Sequence, residues 1–441
     1  MSMARCFRVS HSYLNSLWRS CYCHRPGGET LLIPQLMSGF SPCFSISSSS
    51  SRKGYCKLSD GLKTESPRIV THAATLHGNL VGNTEIERVV SGGNFVNLDN
   101  RDEVKGGTVS GSNGRVMLID GTSIIYRAYY KLLARLERDN LPNADGNGDW
   151  VYTIFSALSL ILNVLELVPS HVAVVFDHDG IPFGHTSVPS RENYNGKGMN
   201  FRHTLYPAYK AHRSPTPDTV IQGLQFLKAS IKAMSIQVIE VPGVEADDVI
   251  GTLAVNSVAA GFKVRIVSPD KDFFQIISPA LRLLRIASRG SEMVSFGVDE
   301  FSKRYGDLKP SQFVDLLSLM GDKSDNIPGV QGIGEVHALR LITKFGTLEN
   351  LLECIDQVTE ERIKMALRLN ADKAILSKNL VTLRSDLPSY MVPYTTSDLL
   401  FKKPTDDGEK FRNLLRAISA YAEGHSADYL IRRSDSLWKK L

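Results

Sequence analysis

A short apolar run closed by an acid occurs three times in this chain, and that pattern constrains the fold most. The runs are Val116-Met117-Leu118-Ile119-Asp120, His171-Val172-Ala173-Val174-Val175-Phe176-Asp177 and Lys263-Val264-Arg265-Ile266-Val267-Ser268-Pro269-Asp270-Lys271-Asp272. Continuous apolar runs of this length read as strands buried on both faces, as in parallel sheets covered by helices. In open α/β sheets, function collects at the carboxyl ends of the strands. A lone strand-end Asp is usually a helix cap or a turn former. Three of them delivered to one edge are not explained that way.

A fourth acidic stretch lies between the second and third runs. Ser235 to Val241 alternates apolar and polar like a half-buried strand, and Gly243-Val244-Glu245-Ala246-Asp247-Asp248-Val249-Ile250-Gly251 follows, opening a helix. One or two acids in a first turn are accounted for by the helix dipole. Three within four residues are not. Glu245 and Asp248, three apart on one helix face, repel unless something positive lies between them, and a divalent cation is the obvious candidate.

The net charge of +5 constrains the partners less than its distribution does. Residues 1–60 hold seven Lys or Arg against two acids, which accounts for that whole excess and leaves the rest of the chain neutral. A nucleic-acid surface must then be a local patch. Residues 1–75, rich in Arg and Ser, have the composition of an organellar transit peptide, and residues 76–114 read as a disordered linker. Five of the six cysteines lie within residues 1–56 and only Cys354 lies beyond, so no disulfide framework supports the body. Cys21-Tyr22-Cys23-His24 lacks the second ligand pair a zinc site needs. No uncharged apolar run is long enough to span a membrane, so no membrane partner is expected.

Two stretches look built for nucleic acid. Residues 178–217 form a long polar loop, expected to arch over the site, that ends in basic residues interleaved with aromatics: Arg202, Tyr206, Tyr209, Lys210, His212 and Arg213. That mixture suits a phosphate backbone and exposed bases. Further on, an apolar helix stops at Gly321, and Asp322-Lys323-Ser324-Asp325-Asn326-Ile327-Pro328-Gly329 leads into Gly332-Ile333-Gly334 and a second helix. This predicts a helix–hairpin–helix, in which Gly332 and Gly334 let backbone N–H groups approach a phosphate without reading sequence. Beyond residue 347, short amphipathic helices are expected, with Arg432-Arg433 and Lys439-Lys440 in a solvated tail.

Taken in order, Asp120-Gly121-Thr122-Ser123, Val174-Val175-Phe176-Asp177, Tyr209-Lys210-Ala211-His212-Arg213, Gly243 to Gly251, Asp270-Lys271-Asp272 and Gly321 to Gly334 resemble the 5′-nuclease domain of bacterial DNA polymerase I. They resemble phage 5′ nucleases and flap endonucleases more distantly. The resemblance covers about 115–400 and implies a PIN-like α/β domain with a mostly parallel sheet flanked by helices over 115–305. A helix–hairpin–helix DNA-binding region over 306–400 and a helical tail over 401–441 would follow, as a free-standing nuclease with no polymerase domain. It also implies metal ligands at Asp120, Asp177, Glu245, Asp247, Asp248, Asp270, Asp272, Asp322 and Asp325, the first five around one ion and the last four toward a second. Lys210 and Arg213 are implied to orient the scissile phosphate, with Arg202 and Tyr209 as neighbouring nucleic-acid contacts and Asp270 among the catalytic residues. The chain departs from the family pattern in three places. Residues 181–200 are an insertion, Pro269 stands where Gly is usual, and Val336-His337 replace a common Lys-Thr pair.

Carboxylates suit this chemistry because Mg²⁺ takes oxygen ligands and keeps several waters, and two ions about 4 Å apart can serve both the attacking and the leaving oxygen. No His or Cys stands among the nine, which argues against zinc. The expected activity is Mg²⁺-dependent hydrolysis at DNA 5′ ends or flaps, with Mn²⁺ able to substitute. RNA–DNA primer junctions are a further implied substrate, an organellar DNA polymerase and a ligase are implied partners, and a monomer is expected. The compartment is mitochondrion, chloroplast or both. A nucleic-acid-binding protein that has lost catalysis would lack a ligand, and none is missing. A single-metal RNA-directed nuclease would lack the Gly321–Gly334 element. A calcium-binding structural protein would cluster its acids in one loop.

Overall fold

A computed structural model describes residues 114–139, 146–178, 200–287 and 292–441. The expected transit peptide, nearly all of the linker and all but the last residue of the 181–200 insertion lie outside the described residues. Six strands form one sheet: β1 (Arg115–Asp120), β2 (His171–Phe176), β3 (Gln237–Glu240), β4 (Lys263–Val267), β5 (Leu281–Ile286) and β6 (Met293–Phe296). Their order is β3-β2-β1-β4-β5-β6, all parallel except β6, which runs antiparallel to β5. The three acid-closed runs are thus β2, β1 and β4, side by side, with β3 beside β2. Neighbouring strands lie about 4.8 Å apart. Acids leaving the same end of four adjacent parallel strands are therefore brought together by topology alone.

The sheet is buried on both faces, which explains the unbroken apolar runs. Val116, Leu118, Ala173 and Val175 face one core, and Met117, Ile119, Val172 and Val174 face the other. The second core is covered by α1 (Gly121–Arg138), α2 (Gly146–Leu165) and α4 (Asp218–Ala233). A window of α2, Gly148–Leu165, is long and apolar enough to cross a membrane by length and composition, but 67% of it is buried inside the protein, as in a core helix. The first core is covered by α5 (Ala246–Ala259) and by the helical C-terminal part.

That part contains α6 (Val298–Tyr305), α7 (Phe313–Met320), α8 (Glu335–Phe345), α9 (Leu348–Glu353) and α10 (Glu361–Val381). Two of the short helices expected beyond 347 cover 362–369 and 374–383; the break between them is present in α10 as a kink at Asn370, whose backbone is non-helical (φ −127°, ψ 23°). The last two helices, α11 (Glu409–Ser419) and α12 (Asp428–Trp438), pack into the second core through Phe411, Leu415, Leu437 and Trp438. The expectation of a solvated basic tail is corrected at Arg433, whose guanidinium bonds Glu166, Ser159 and Asn163 on or next to α2.

Candidate active site

Each acid is placed by an ordinary local device. Asp120 ends β1 and caps α1: its Oδ1 accepts from Ser123 N at 2.9 Å, and its Oδ2 accepts from the Ser123 hydroxyl and from Ser268 Oγ at 2.8 Å. Asp177 follows β2 and accepts from Ala246 N at 2.8 Å, tying the end of β2 to the start of α5. Asp247 sits in the first turn of α5. Asp270 accepts from Asp272 N at 2.9 Å in the turn after β4.

The charges report how close these groups are. Burial pushes Asp120 up to about 6, against the hydrogen bonds from Ser123, and the charge of Asp177 adds to the rise. Asp247 lies well above the usual carboxylate range, first from burial and then from the charges of Asp120, Asp270 and Asp177. Asp272 is likewise well above it, from burial and then from Asp270 and Asp325. Asp270 is raised by burial, against the Asp272 N–H, with Asp325 and Asp322 adding repulsion. Asp177 is raised by desolvation and by Glu245; its side chain opens to solvent, which limits the first effect. Five acids from three strand ends and one helix start therefore share one electrostatic neighbourhood, reaching Asp322 and Asp325 on the far side.

Cations already sit among them. Lys210, in a left-handed backbone conformation, places its Nζ 2.7 Å from Glu245 Oε1 and 3.6 Å from Asp325 Oδ2. Arg213 pairs with Asp325, and Lys271 lies 3.2 Å from Asp322. Ser324, through its N–H and hydroxyl, also donates to Asp322. Those bonds and Lys271 outweigh burial and hold Asp322 below its ordinary value.

Four expectations are corrected, at Asp248, Arg202, Tyr209 and Glu245. The positive group between Glu245 and Asp248 is Arg202, not a metal. Its Nη1 reaches Asp248 Oδ2 at 2.7 Å and Glu245 Oε2 at 3.0 Å, and its Nη2 reaches Asp248 Oδ1 at 2.9 Å. Asp248 Oδ1 also accepts from Arg384 N, and the side chain is 1% exposed, so Asp248 has no free oxygen facing the cluster. Arg202 itself is 4% exposed and cannot touch a nucleic acid. Tyr209 is 2% exposed, and its hydroxyl donates toward Glu245 Oε2 at 3.2 Å and Asp325 Oδ2 at 3.3 Å. It orients carboxylates rather than stacking on bases. Glu245 is also not a free ligand here, since Asn200, Lys210, Arg202 and Tyr209 all donate to it. Burial would raise it, but Lys210 and Arg202 outweigh burial and hold it down to about 2.

The remaining donors suit a hard divalent cation. They are all carboxylate oxygens, Asp272 Oδ1 is buried with no hydrogen-bond partner, and no hydrogen bond to the Asp247 carboxylate is present among the described residues. Among the described residues, no group of three acidic, His or Cys side chains stands close enough together, as placed, to hold a metal ion. Sequence reasoning missed Ser123, Asn200, Ser268 and Lys271. The Asp-Gly-Thr-Ser run carries a cap signature that could have found Ser123; nothing local marks Asn200 or Ser268.

The segment with Gly332 and Gly334 joins α7 to α8. Gly334 caps α8 without a side-chain bond, Gly332 has φ +88°, and a Cβ at Gly334 would meet nothing within 4 Å. Gly334 faces open space, where another molecule's backbone can approach, whereas a Cβ at Gly332 would lie 3.7 Å from Arg362 Nη2.

The chain matches the family model described as 5′-3′ exonuclease, N-terminal resolvase-like domain, over residues 115–306. It matches 5′-3′ exonuclease, C-terminal SAM fold, over residues 308–407. The chain belongs to the 5′-3′ exonuclease family. It is 36% identical over 306 residues to DNA polymerase I of Bacillus caldotenax, covering 69% of this chain and 31% of that protein. It is 35% identical over 344 residues to thermostable DNA polymerase I of Thermus filiformis, covering 74% and 37%. The chain thus spans about a third of the length of the curated relatives it matches. Among solved structures, it is similar to bacteriophage T5 flap endonuclease in a complex with DNA and metal ions, at 18% identity and TM-score 0.47, covering 69% of this chain and 99% of that one. It is also similar to the catalytic core of Rad2 in complex with DNA substrate, at 17% identity and TM-score 0.45, covering 75% and 92%.

Proposed function

We propose that this member of the 5′-3′ exonuclease family is a divalent-metal-dependent 5′ nuclease. It hydrolyses phosphodiesters at free or flapped 5′ ends of duplex DNA and at RNA–DNA primer junctions. The observation that carries the reading is the placement of Asp120, Asp177, Asp247, Asp270 and Asp272 at the ends of three adjacent parallel strands and the start of α5, with Lys210 and Arg213 beside this group. Such a group is stable at neutral pH only when neutralised.

Those five acids would hold Mg²⁺, as two ions with Mn²⁺ able to substitute, and Asp322 and Asp325 would lie on its far side. When bound, the metal supplies charge neutralisation on the phosphate and acidifies water. The chain's own cations do the rest. Arg213, with 43% of its side chain exposed, and Lys210 are placed to exchange their carboxylate partners for phosphate oxygens and to offset charge there. The uncapped start of α8, with Gly332 and Gly334, offers N–H groups to the duplex backbone.

Residues 1–75 direct the protein to mitochondria, chloroplasts or both, for primer removal or flap processing beside a DNA polymerase and a ligase. It works as a monomer. The function is tested with residues 76–441, a 5′-labelled flap duplex, and Mg²⁺ or EDTA. Cleavage with Mg²⁺ alone, abolished in Asp270→Asn with duplex binding retained, is the expected result. Equal product from wild type and Asp270→Asn would sink the assignment.

A further inference from the structure

We propose that Arg202 is a positioning residue of this nuclease, setting Glu245 and, through it, the Lys210 ammonium from the end of the helix that backs the hairpin. The proposal rests on the nuclease reading above. Arg202 belongs to α3 (Phe201–Leu205), eight residues before Lys210. All five of its N–H donors are used. Nε donates to Leu380 O at 2.9 Å, Nη1 to Glu245 and Asp248, and Nη2 to Asp248 and to Thr382 O at 2.9 Å. One planar group therefore joins three segments remote in sequence: the base of the basic loop, the start of α5, and the end of α10.

The far end of this connection is the hairpin loop. Ser377, one turn before Leu380 on α10, accepts from Gly329 N at 3.0 Å. The near end is the reaction site. Arg202 and Tyr209 hold Glu245 Oε2, which leaves Oε1 aimed at Lys210 Nζ at 2.7 Å. The site that grips duplex and the cation that meets the scissile phosphate are thus fixed to one buried guanidinium. A Lys in its place keeps the charge but supplies three donors from a point and no fork, so it cannot hold all three segments and leaves Asp248 short of partners in the interior.

The test compares wild type with Arg202→Lys and with Asp248→Asn, which keeps the side-chain shape and removes one charge. Steady-state cleavage of a flap duplex is measured well below the melting temperature, together with duplex binding in EDTA and hydrogen exchange without metal or substrate. A displaced Lys210 predicts kcat lower by about 100-fold in Arg202→Lys, with KM and EDTA-state duplex affinity within threefold. Asp248→Asn shows the same split at about tenfold and carries the test if Arg202→Lys does not fold. Exchange should quicken at 200–213 and 380–384 together. A lower melting temperature with kcat within threefold of wild type would make Arg202 structural only and overturn the proposal. If wild type cleaves no flap, the function reading fails, and exchange decides the positioning claim: both segments loosening supports it, one alone overturns it.

Discussion

Asp247 stands in a crowded position of the cluster, beside Asp120, Asp270 and Asp177, with no hydrogen bond to its carboxylate among the described residues. Its negative charge costs the metal-free protein stability, and Lys210 offsets only part of that cost. Asp247→Asn should therefore raise the melting temperature in EDTA at pH 8 while abolishing Mg²⁺-dependent cleavage. One pKa unit relieved is about 1.4 kcal/mol, or roughly 2–4 °C for a domain of this size. A lower melting temperature in this variant would show that the cluster does not repel. Asp248, next in sequence, shows what residue-level reading could not reach. Spacing placed it on a helix face with Glu245 and demanded a positive partner. The partner is Arg202, 46 residues away, and only the folded chain brings them together. The same limit applies to Tyr209, where an aromatic among basic residues looked like a stacking surface and is a buried hydrogen-bond donor.

The glycine-rich element between α7 and α8 divides into two kinds of position. Gly321 and Gly329 have φ +70° and +61°, and a Cβ at Gly329 would lie 2.4 Å from Gly321 N. Gly329→Ala should destabilise the fold by about 3 kcal/mol or more, since backbone strain and a backbone clash combine. Gly334→Ala meets nothing and should leave the melting temperature within about 1 °C, yet weaken duplex binding where its methyl group meets the partner. Thermal unfolding and fluorescence anisotropy on a duplex separate the two. If Gly334→Ala binds as wild type does, this element is not the duplex grip. Elements were legible where one physical signal dominated. The apolar runs gave β1, β2 and β4, and Gly321 gave the end of α7. The strands β5 and β6 escaped notice because Arg282, Arg285 and Ser295 interrupt their apolar pattern, with Arg282 paired to Glu300 and bonded to Ser295.

Across the whole molecule, the site is held between two cores, and α11 and α12 complete one of them. Ending the chain at residue 405 removes Phe411, Leu415, Ile418, Leu437 and Trp438 from the core beside α2. Each buried apolar side chain is worth about 1.5–3 kcal/mol, so the shortened chain should unfold at a much lower temperature or be insoluble. An unchanged melting temperature would mean these helices are not part of the core. This packing was not legible because an amphipathic helix near a terminus does not show which core it joins. Metal binding is also a property of the assembled molecule. Burial and neighbouring carboxylates push Asp120 up to about 6 and Asp247 and Asp272 well above the usual carboxylate range, so the folded protein holds these protons more tightly than the unfolded chain. The resulting instability is absent below about pH 4 and grows as pH rises through 6. The gain in melting temperature from Mg²⁺ over EDTA should be near zero at pH 4 and increase through pH 8. A gain independent of pH would mean the cation binds elsewhere.

The central claim is that side chains from three strand ends and one helix start form one divalent-metal site, and anomalous diffraction from crystals grown with Mn²⁺ tests it most directly. The account predicts density between the carboxylates of Asp120, Asp177, Asp247, Asp270 and Asp272, with Asp248 still bonded to Arg202. Ordered Mn²⁺ bound only away from these side chains, or none at all at millimolar concentration, would contradict it.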